Sequence, residues 1–412
     1  MNKSQSQFKN EKSPKNIVYL LSRLCRILIL RRLNFLNQAI KICDPWKTFT
    51  VGKGSPLASI KISDPFFYQI VLQQGSLGIA RSWINNGWDT SDLTSVMKIF
   101  VRNQKVGDTF NHGISQLTAS LAFKRHKKRA NTLSGSKRNI YKHYDLGNDF
   151  FALILDQTMA YSSGFFETTE STLEDASIAK MERISQMLDL KSEDHLLDVG
   201  CGWGSFAIHA ASRYGCKVTG ITISPEQHQL ASKRVKLEGL SDLVEIQLCD
   251  YRNTKGRFNK LVSIEMIEAV GHEYLPQFFK TISDLIEPNG KMVLQAIVMP
   301  NERYSQYLHN SDFIQEYIFP GGCLLSKKVI EENVSKHTGL EIIDVRSIGK
   351  HYANTLRHWR NNFWANKEKI KSLGYQKDFI RIWHYYFCYC EAGFEEKYLD
   401  NLQILLRKTN PI

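Results

Sequence analysis

The 412-residue sequence predicts an α/β fold with a parallel sheet, preceded by a smaller α+β amino-terminal domain. From about residue 170, strand-like apolar runs alternate with helical segments. A glycine-rich turn at 200–204 follows the first of these strands. The composition, with 42% hydrophobic and 23% charged residues, is that of a globular protein. These observations exclude a disordered, collagen-like or polytopic membrane protein.

The excess positive charge lies in the first third of the chain. The formal net charge is +13, yet residues 1–142 hold 24 basic and 6 acidic residues, whereas the remainder holds 30 and 35. This asymmetry predicts contact with an anionic partner, either nucleic acid or a membrane surface. No segment approaches the roughly 18–20 uncharged apolar residues that a membrane-spanning helix needs.

The amino-terminal region predicts a helix, a hairpin and further helices. Residues 16–42 place apolar residues on one helical face and arginines on the other, which fits either a membrane-surface helix or a domain-packing helix with a solvated arginine face. Two alternating stretches around glycines within 48–64 predict a small hairpin. Residues 66–103 predict helices with a turn at 85–87.

We divide the chain into four segments. Residues 1–15 are expected to be a disordered tail, and 16–123 an amino-terminal domain that faces lipid. The basic cluster within 124–139 predicts an exposed linker. Residues 140–412 form the α/β domain, with a helical insertion after about residue 300.

The α/β domain shows strands followed by helices in regular order. The first two strands are followed by helices that run to about Tyr214 and over 225–239. The predicted strands cover residues 196–200, 217–223, 244–250, 260–266 and 291–299.

The glycine-rich turn reads Asp198-Val-Gly200-Cys-Gly202-Trp-Gly204. Glycines at a strand-to-helix turn let the backbone approach a ligand closely, although a tight structural turn gives the same pattern. The spacing differs from the dinucleotide pattern G-x-G-x-x-G, and D-x-G-x-G-x-G resembles the first motif of class I S-adenosylmethionine (SAM) methyltransferases.

Two further segments stand at strand ends, Thr222–Gln227 and Asp250–Arg252. Ligands of open α/β sheets bind outside the carboxyl ends of the strands, so these segments and the glycine-rich turn are expected to meet there. We therefore predict a SAM site.

Six ordered segments resemble the cyclopropane-fatty-acyl-phospholipid synthase family, which includes the mycolic acid cyclopropane synthases. They are HYDLGNDFFALILDQTMAYSSGFF (143–166), LLDVGCGWGSFAIHAA (196–211), GITISPEQ (220–227), SIEMIEAVGHEYLPQFF (263–279), EYIFPGGCLLS (316–326) and HYANTLRHW (351–359). The resemblance implies a class I methyltransferase with a Rossmann-like seven-stranded sheet. It also implies a homodimer, peripherally bound at the cytoplasmic face of a membrane, that acts on phospholipids with unsaturated acyl chains. The basic first third of the chain is expected to dock on anionic headgroups of that membrane.

The resemblance also implies site residues. The implied SAM contacts are Tyr161, Ser162, Gly200, Gly202, Thr222, Gln227, Tyr251 and Arg252. The bicarbonate of the family would be held by Glu268, Tyr352 and the backbone of Ile297. Ser163 and Gln295 stand where the family has a cysteine and a histidine.

The chemistry gives these residues expected roles. An alkene is a weak nucleophile, so the methyl donor must be held against it in a dry pocket, and a base must then remove a proton from the added carbon. Glu268 is expected to stabilise cationic charge and to orient an anion or base. Tyr352, Ser163 and Gln295 can donate hydrogen bonds to that anion. Cys390 matches a family cysteine once taken as a nucleophile, but alkene methylation needs no thiol, and a buried small hydrophobe is the favoured interpretation.

Four functions remain compatible with the sequence. The first is cyclopropane formation on phospholipid acyl chains, and the second is methyl or methylene branching without ring closure, which the changes at Ser163 and Gln295 leave open. The third is a nucleic acid methyltransferase, against which no nucleic-acid-binding module is found. The fourth is a non-catalytic lipid-binding protein. We predict the first, with no nucleic acid partner. The eight cysteines show no zinc spacing, which predicts no metal site and mostly free thiols in a reducing compartment.

Overall fold

The computed structural model describes residues 14–110, 131–132, 135–136 and 146–409. The chain divides into two units, residues 1–119 and 120–412. Most of the predicted tail and most of the predicted basic linker lie outside the described residues.

The first unit combines helices with a four-stranded sheet of order β2-β1-β3-β4. Its elements are α1 (Pro14–Leu33), β1 (Ala39–Cys43), β2 (Thr48–Val51), β3 (Pro56–Ile62), α2 (Phe67–Ile84), β4 (Trp88–Asp89), α3 (Leu93–Arg102) and α4 (Gln104–Phe110). The helices and the turn predicted over 66–103 are confirmed, and Asn86 in that turn has a φ of 58°.

The structure corrects two predictions in this unit. The helix predicted over 16–42 ends at Leu33, and β1 follows because its side chains alternate between buried and exposed from Ile40 to Cys43. The hairpin predicted over 48–64 does not form. Its two stretches, β2 and β3, both pair with β1, the first antiparallel and the second parallel, so β1 lies between them.

The second unit alternates strands and helices as predicted. Its helices are α5 (Gly147–Ile154), α6 (Leu173–Leu188), α7 (Ser205–Tyr214), α8 (Pro225–Leu237), α9 (Leu275–Leu285), α10 (Asn301–Tyr307), α11 (Lys327–His337), α12 (Gly349–Ala365), α13 (Lys367–Ser372) and α14 (Lys377–Glu395). Its strands are β5 (His195–Val199), β6 (Lys217–Thr222), β7 (Val244–Leu248), β8 (Phe258–Ile264), β9 (Ile286–Met299), β10 (Leu325–Ser326), β11 (Leu340–Ser347) and β12 (Asp400–Lys408).

The strand order β11-β12-β9-β8-β5-β6-β7 confirms the predicted Rossmann-like seven-stranded sheet of a class I methyltransferase fold, with β10 as a short addition beside β9. The pairs from β7 to β9 are parallel. Strand β12 runs antiparallel to both of its neighbours, β9 and β11. The carboxyl ends of β5, β6, β8 and β9 therefore share one edge of the sheet.

Both faces of the sheet are covered. Side chains of successive strand residues point to opposite faces of a sheet. In β5, Leu196 belongs to a buried apolar cluster with residues of α6, α7 and α8, whereas Leu197 belongs to a second cluster with residues of α9 and α11. Helices α12 and α14 follow β11 and precede β12 in the sequence, and they pack against each other. Helix α12 also packs against α5. No helix within the described ranges combines the length and hydropathy needed to cross a bilayer.

Candidate active site

The glycine-rich turn lies between β5 and α7. Gly200 and Gly202 have φ values of 83° and 55°, in the left-handed region that favours glycine. A Cβ on Gly200 would lie 2.5 Å from Met266 Cγ, so packing against the loop after β8 requires this glycine. A Cβ on Gly202 would meet no described atom within 4 Å. The described residues therefore leave space beside Gly202, which a ligand can occupy.

Asp198 lies at the end of β5, directly before this turn. It is buried, and its Oδ2 has no hydrogen-bond partner among the described residues. Burial raises the pKa of the Asp198 carboxyl to about 7, although the nearby Lys180 ammonium opposes the shift. An unpaired buried oxygen is costly, so this atom is suited to a hydroxyl or amine of a bound molecule.

Lys180 on α6 is a buried cation in the same region. Its Nζ donates a hydrogen bond to Ser162 Oγ at 2.8 Å. Burial lowers the pKa of Lys180, and the charges of Glu265, Asp156 and Asp198 oppose that shift. No sequence motif predicted a role for Lys180. Its side chain connects Ser162 with the acidic side chains of Glu265, Asp156 and Asp198.

The other predicted SAM residues lie at the ends of β6 and β7. Thr222 Oγ1 donates a hydrogen bond to Gln227 Oε1 at 2.8 Å, and both side chains are buried. The guanidinium of Arg252 donates to both carboxylate oxygens of Asp250, at 2.8 and 2.7 Å. Burial raises the pKa of Tyr251 to about 12, which keeps its hydroxyl protonated. Arg252 is thus engaged with its own loop and positions it.

Aromatic side chains form one wall of the site. We define the aromatic wall as Tyr161, Phe319, Tyr352, Trp359, Tyr386 and Phe394. The ring centroids of Tyr161 and Trp359 are 5.0 Å apart, and those of Tyr352 and Phe394 are 4.5 Å apart. Such rings present apolar surface to an acyl chain and π faces to a cation.

Glu265 is the polar centre of the site, and the sequence motifs did not select it. Its Oε1 lies 3.0 Å from the main-chain nitrogen of Ser163, 2.7 Å from Gln295 Nε2 and 2.5 Å from Asn401 Nδ2. Its Oε2 accepts a hydrogen bond from the Tyr352 hydroxyl at 2.6 Å. Four donors from described residues therefore converge on one carboxylate.

Glu268 follows one turn later and has a different environment. Its Oε1 accepts a hydrogen bond from the main-chain N–H of Ile297 at 2.6 Å, and its Oε2 has no partner among the described residues. Burial, reinforced by the charge of Glu265, raises the pKa of Glu268 to about 8. The two carboxyl groups are thus held in different ways, a pattern typical of acid–base sites.

The structure distributes the predicted anion-site residues over both glutamates. Tyr352, Gln295 and the main-chain N–H of Ser163 donate to Glu265, whereas Ile297 donates to Glu268. The hydroxyl of Ser163 instead donates to the carbonyl of the next residue at 3.0 Å. The sequence did carry a signal for Glu265, since EMIE places two acidic residues three positions apart at the end of a strand.

Cys390 lies on α14, which also carries Tyr386 of the aromatic wall. Burial raises the pKa of its thiol well above the usual range, with a further contribution from Asp312. A thiol in this environment is not a thiolate nucleophile at neutral pH. All eight cysteines are free.

The site fits SAM, but it does not fit a bicarbonate in the arrangement that the family resemblance implies. Open space beside Gly202 and the unpaired oxygen of Asp198 suit the methyl donor. The donors expected for bicarbonate, Tyr352 and Gln295, already donate to the carboxylate of Glu265.

Comparisons with known proteins identify the family of the chain. Residues 131–404 match the family described as mycolic acid cyclopropane synthetase. The chain is 37% identical over 348 residues to tuberculostearic acid methyltransferase UfaA1 of Mycobacterium tuberculosis, which covers 82% of this chain and 80% of that protein. It is 33% identical over 359 residues to cyclopropane-fatty-acyl-phospholipid synthase of Escherichia coli K12, which covers 86% of this chain and 89% of that protein.

Among solved structures, mycolic acid cyclopropane synthase CmaA1, complexed with SAH and CTAB, is similar to this chain. The TM-score is 0.62 at 32% identity, and the match covers 66% of this chain and 98% of that one.

Proposed function

Because the chain belongs to the mycolic acid cyclopropane synthetase family, we propose that it transfers a methylene group from SAM to the cis double bond of an unsaturated phospholipid acyl chain, forming a cyclopropane. Family membership makes the chain a SAM-dependent methyltransferase that acts on unsaturated lipid chains. The proposal adds the phospholipid substrate and the cyclic product.

One observation carries the proposal: two carboxyl groups lie at the end of β8, where Glu265 accepts a hydrogen bond from Tyr352 of the aromatic wall and the carboxyl of Glu268 is buried. SAM supplies an electrophilic methyl group to such a site. The aromatic wall excludes water and stabilises the cation that forms on the acyl chain. The carboxyl groups hold negative charge near that cation and provide a place for the released proton.

Methyl or methylene branching without ring closure is the second candidate. The relative named tuberculostearic acid methyltransferase is 37% identical to this chain, and the E. coli cyclopropane synthase is 33% identical. Both reactions begin with the same methyl transfer, so the same site serves either one. The two reactions differ in the bond that forms when the proton is lost: a C–C bond that closes the ring, or a C=C bond to the added carbon.

For the amino-terminal unit, we propose contact with an anionic membrane surface. Helix α1 exposes Leu20, Leu24, Ile27 and Leu28 at helical spacing, and the arginines of the same helix add positive charge. Exposed apolar residues interleaved with arginine are typical of helices that lie in a bilayer interface. Each Lys or Arg near an anionic leaflet adds about 1 kcal/mol to binding. Such contact would bring the enzyme to its lipid substrate.

Fatty acid analysis by mass spectrometry tests the proposal. The full chain is expressed in a bacterial host that lacks its own cyclopropane synthase, with the Glu265→Gln variant expressed to the same level as a control. A saturated product heavier by one CH2 group than a monounsaturated acid supports ring formation. The same mass with a retained double bond supports the second candidate. No new fatty acid in this host contradicts both.

A further inference from the structure

The hydrogen bonds of Glu265 are those that suit a proton acceptor. Four groups donate to its carboxylate: one main-chain N–H, two side-chain amides and one hydroxyl. A carboxylate accepts hydrogen bonds at both oxygens, whereas a carboxylic acid would need an acceptor for its proton. The buried cation Lys180 is close enough for the charge of Glu265 to affect its pKa.

The backbone at Glu265 carries strain. Its φ is 49°, in the left-handed region, which is unfavourable for a residue with a Cβ. Glycine would adopt this conformation freely. A glutamate at a strained position, with both carboxylate oxygens hydrogen-bonded, is typical of a side chain retained for function rather than for stability.

The neighbouring carboxyl group, that of Glu268, is held in its neutral form. The carboxyl of Glu268 is buried, accepts one hydrogen bond from the described residues and is favoured in its protonated form by burial and by the charge of Glu265. Like charges at close range disfavour double ionisation. Of these two carboxyl groups, Glu265 is therefore the one whose four donors suit a proton acceptor.

We propose that Glu265 is the general base of the reaction and that its carboxylate occupies the place in which the family resemblance implies a bicarbonate. The inference rests on the proposed function, since it assumes methyl transfer to an alkene. It makes the base part of the chain, so no free anion is required.

The step balances with Glu265 as the only acceptor. Methyl transfer to one alkene carbon leaves a cation on the other. A C–H bond of the new methyl group then breaks, its electron pair forms the C–C bond that closes the ring, and the proton passes to Glu265 Oε2, which accepts a hydrogen bond from Tyr352. For a methylene branch, a hydride shift first moves the cation, and the same electron pair forms the new double bond. Glu265 returns the proton to water before the next turnover.

Kinetics of the full chain on vesicles of unsaturated phosphatidylglycerol, in buffer freed of carbon dioxide, provide the first test. The wild-type rate is expected to remain unchanged when millimolar bicarbonate is added. Glu265→Gln is expected to lose about a hundredfold or more in kcat, the usual contribution of a general base. Glu273→Gln, which changes an exposed carboxylate in the same segment, is expected to match wild type.

Glu265→Gly provides the chemical rescue. Glycine suits the backbone at this position and leaves space between the former donors, so formate or bicarbonate is expected to restore turnover saturably, whereas chloride is not. Glu265→Gln fills that space and is expected not to respond. A wild-type enzyme that needs bicarbonate, or a Glu265→Gln variant with the wild-type rate while Glu268→Gln is inactive, would overturn the inference.

A binding measurement keeps the inference separate from the proposed function. Formate is expected to raise the melting temperature of Glu265→Gly, but not that of wild type or Glu265→Gln. This result requires no lipid turnover, so it stands even if the fatty acid product is misassigned. Unchanged SAH affinity in all three proteins excludes a general structural effect. The absence of a saturable formate shift in Glu265→Gly would count against an anion site at this position.

Discussion

Glu268 on the loop after β8 is tied to Ile297 on β9 by a hydrogen bond of 2.6 Å from the main-chain nitrogen to Oε1. The second oxygen of Glu268 has no partner among the described residues, and the pKa of the carboxyl is raised to about 8. This contact therefore fixes the loop against the neighbouring strand through a group that is mostly uncharged at neutral pH.

The raised pKa predicts a pH-dependent stability difference between wild type and Glu268→Gln. The folded protein holds the Glu268 proton more tightly than the unfolded chain, in which the pKa is near 4.5. Its contribution to stability is complete below pH 4.5 and is lost as the pH rises through about 8, at ~1.4 kcal/mol per unit of pKa shift. Glutamine mimics the protonated form at every pH. The melting temperature of the variant minus that of wild type is therefore expected to increase from pH 5 to pH 8. Thermal denaturation across this range measures it, with Glu273→Gln as the control. A difference that does not vary with pH would contradict the buried, protonated state.

Asp198 predicts a pH-dependent affinity for the methyl donor. Its unpaired oxygen lies before the glycine-rich turn, and its pKa is raised to about 7 by burial. Above pH 7 the carboxylate can accept a charge-assisted hydrogen bond, so Asp198→Asn is expected to weaken SAM binding about tenfold at pH 8. As the pH is lowered through 7, wild-type affinity is expected to fall toward that of the variant. Titration calorimetry with SAH measures both, and Asp242→Asn, at an exposed position, is the control. Equal affinities at pH 8 would remove Asp198 from the cofactor site.

The exposed face of α1 predicts vesicle binding. Replacing Leu24 and Leu28 with glutamine removes apolar surface that would enter the bilayer interface, so cosedimentation with phosphatidylglycerol vesicles is expected to weaken about tenfold. Leu57→Gln, at an exposed leucine of β3, is the matched control and is expected to bind as wild type does. Phosphatidylcholine vesicles should bind less protein, and added salt should reduce the difference between the two lipids. Equal binding by the α1 variant, or RNA retention in place of vesicle binding, would contradict this surface assignment.

The large sheet could be predicted because its signals are local. Each strand of the parallel core is an apolar run followed by turn residues, and the boundaries fall within two residues of the predicted ones, except that β9 begins at Ile286 instead of residue 291. In the amino-terminal unit the signal is shorter. The five residues of β1 follow a helix without a clear break, and their pairing with β2 and β3 depends on contacts that no local pattern encodes.

The residues around Glu265 illustrate the limit of sequence reasoning for the site. Tyr352, Gln295 and Asn401 lie 87, 30 and 136 positions away along the chain. Their convergence depends on the order of strands β8, β9 and β12 and on the left-handed backbone at Glu265. The sequence selected Glu268 from its position in a motif. Only the assembled sheet shows that Glu265 accepts hydrogen bonds from four described donors, whereas the side chain of Glu268 accepts one.

The place of β12 in the sheet has a consequence for the biosynthesis of the enzyme. This strand lies between β9 and β11, yet it is translated after both, and it contributes Asn401 to the carboxylate of Glu265. While β12 is still inside the ribosome, β9 and β11 lack their shared neighbour and Glu265 lacks one of its donors. A nascent chain can thus complete the parallel strands and the glycine-rich turn first. The hydrogen bonds around Glu265 are therefore completed last. Proton removal by a fully positioned Glu265 has to wait until synthesis of the catalytic unit is finished.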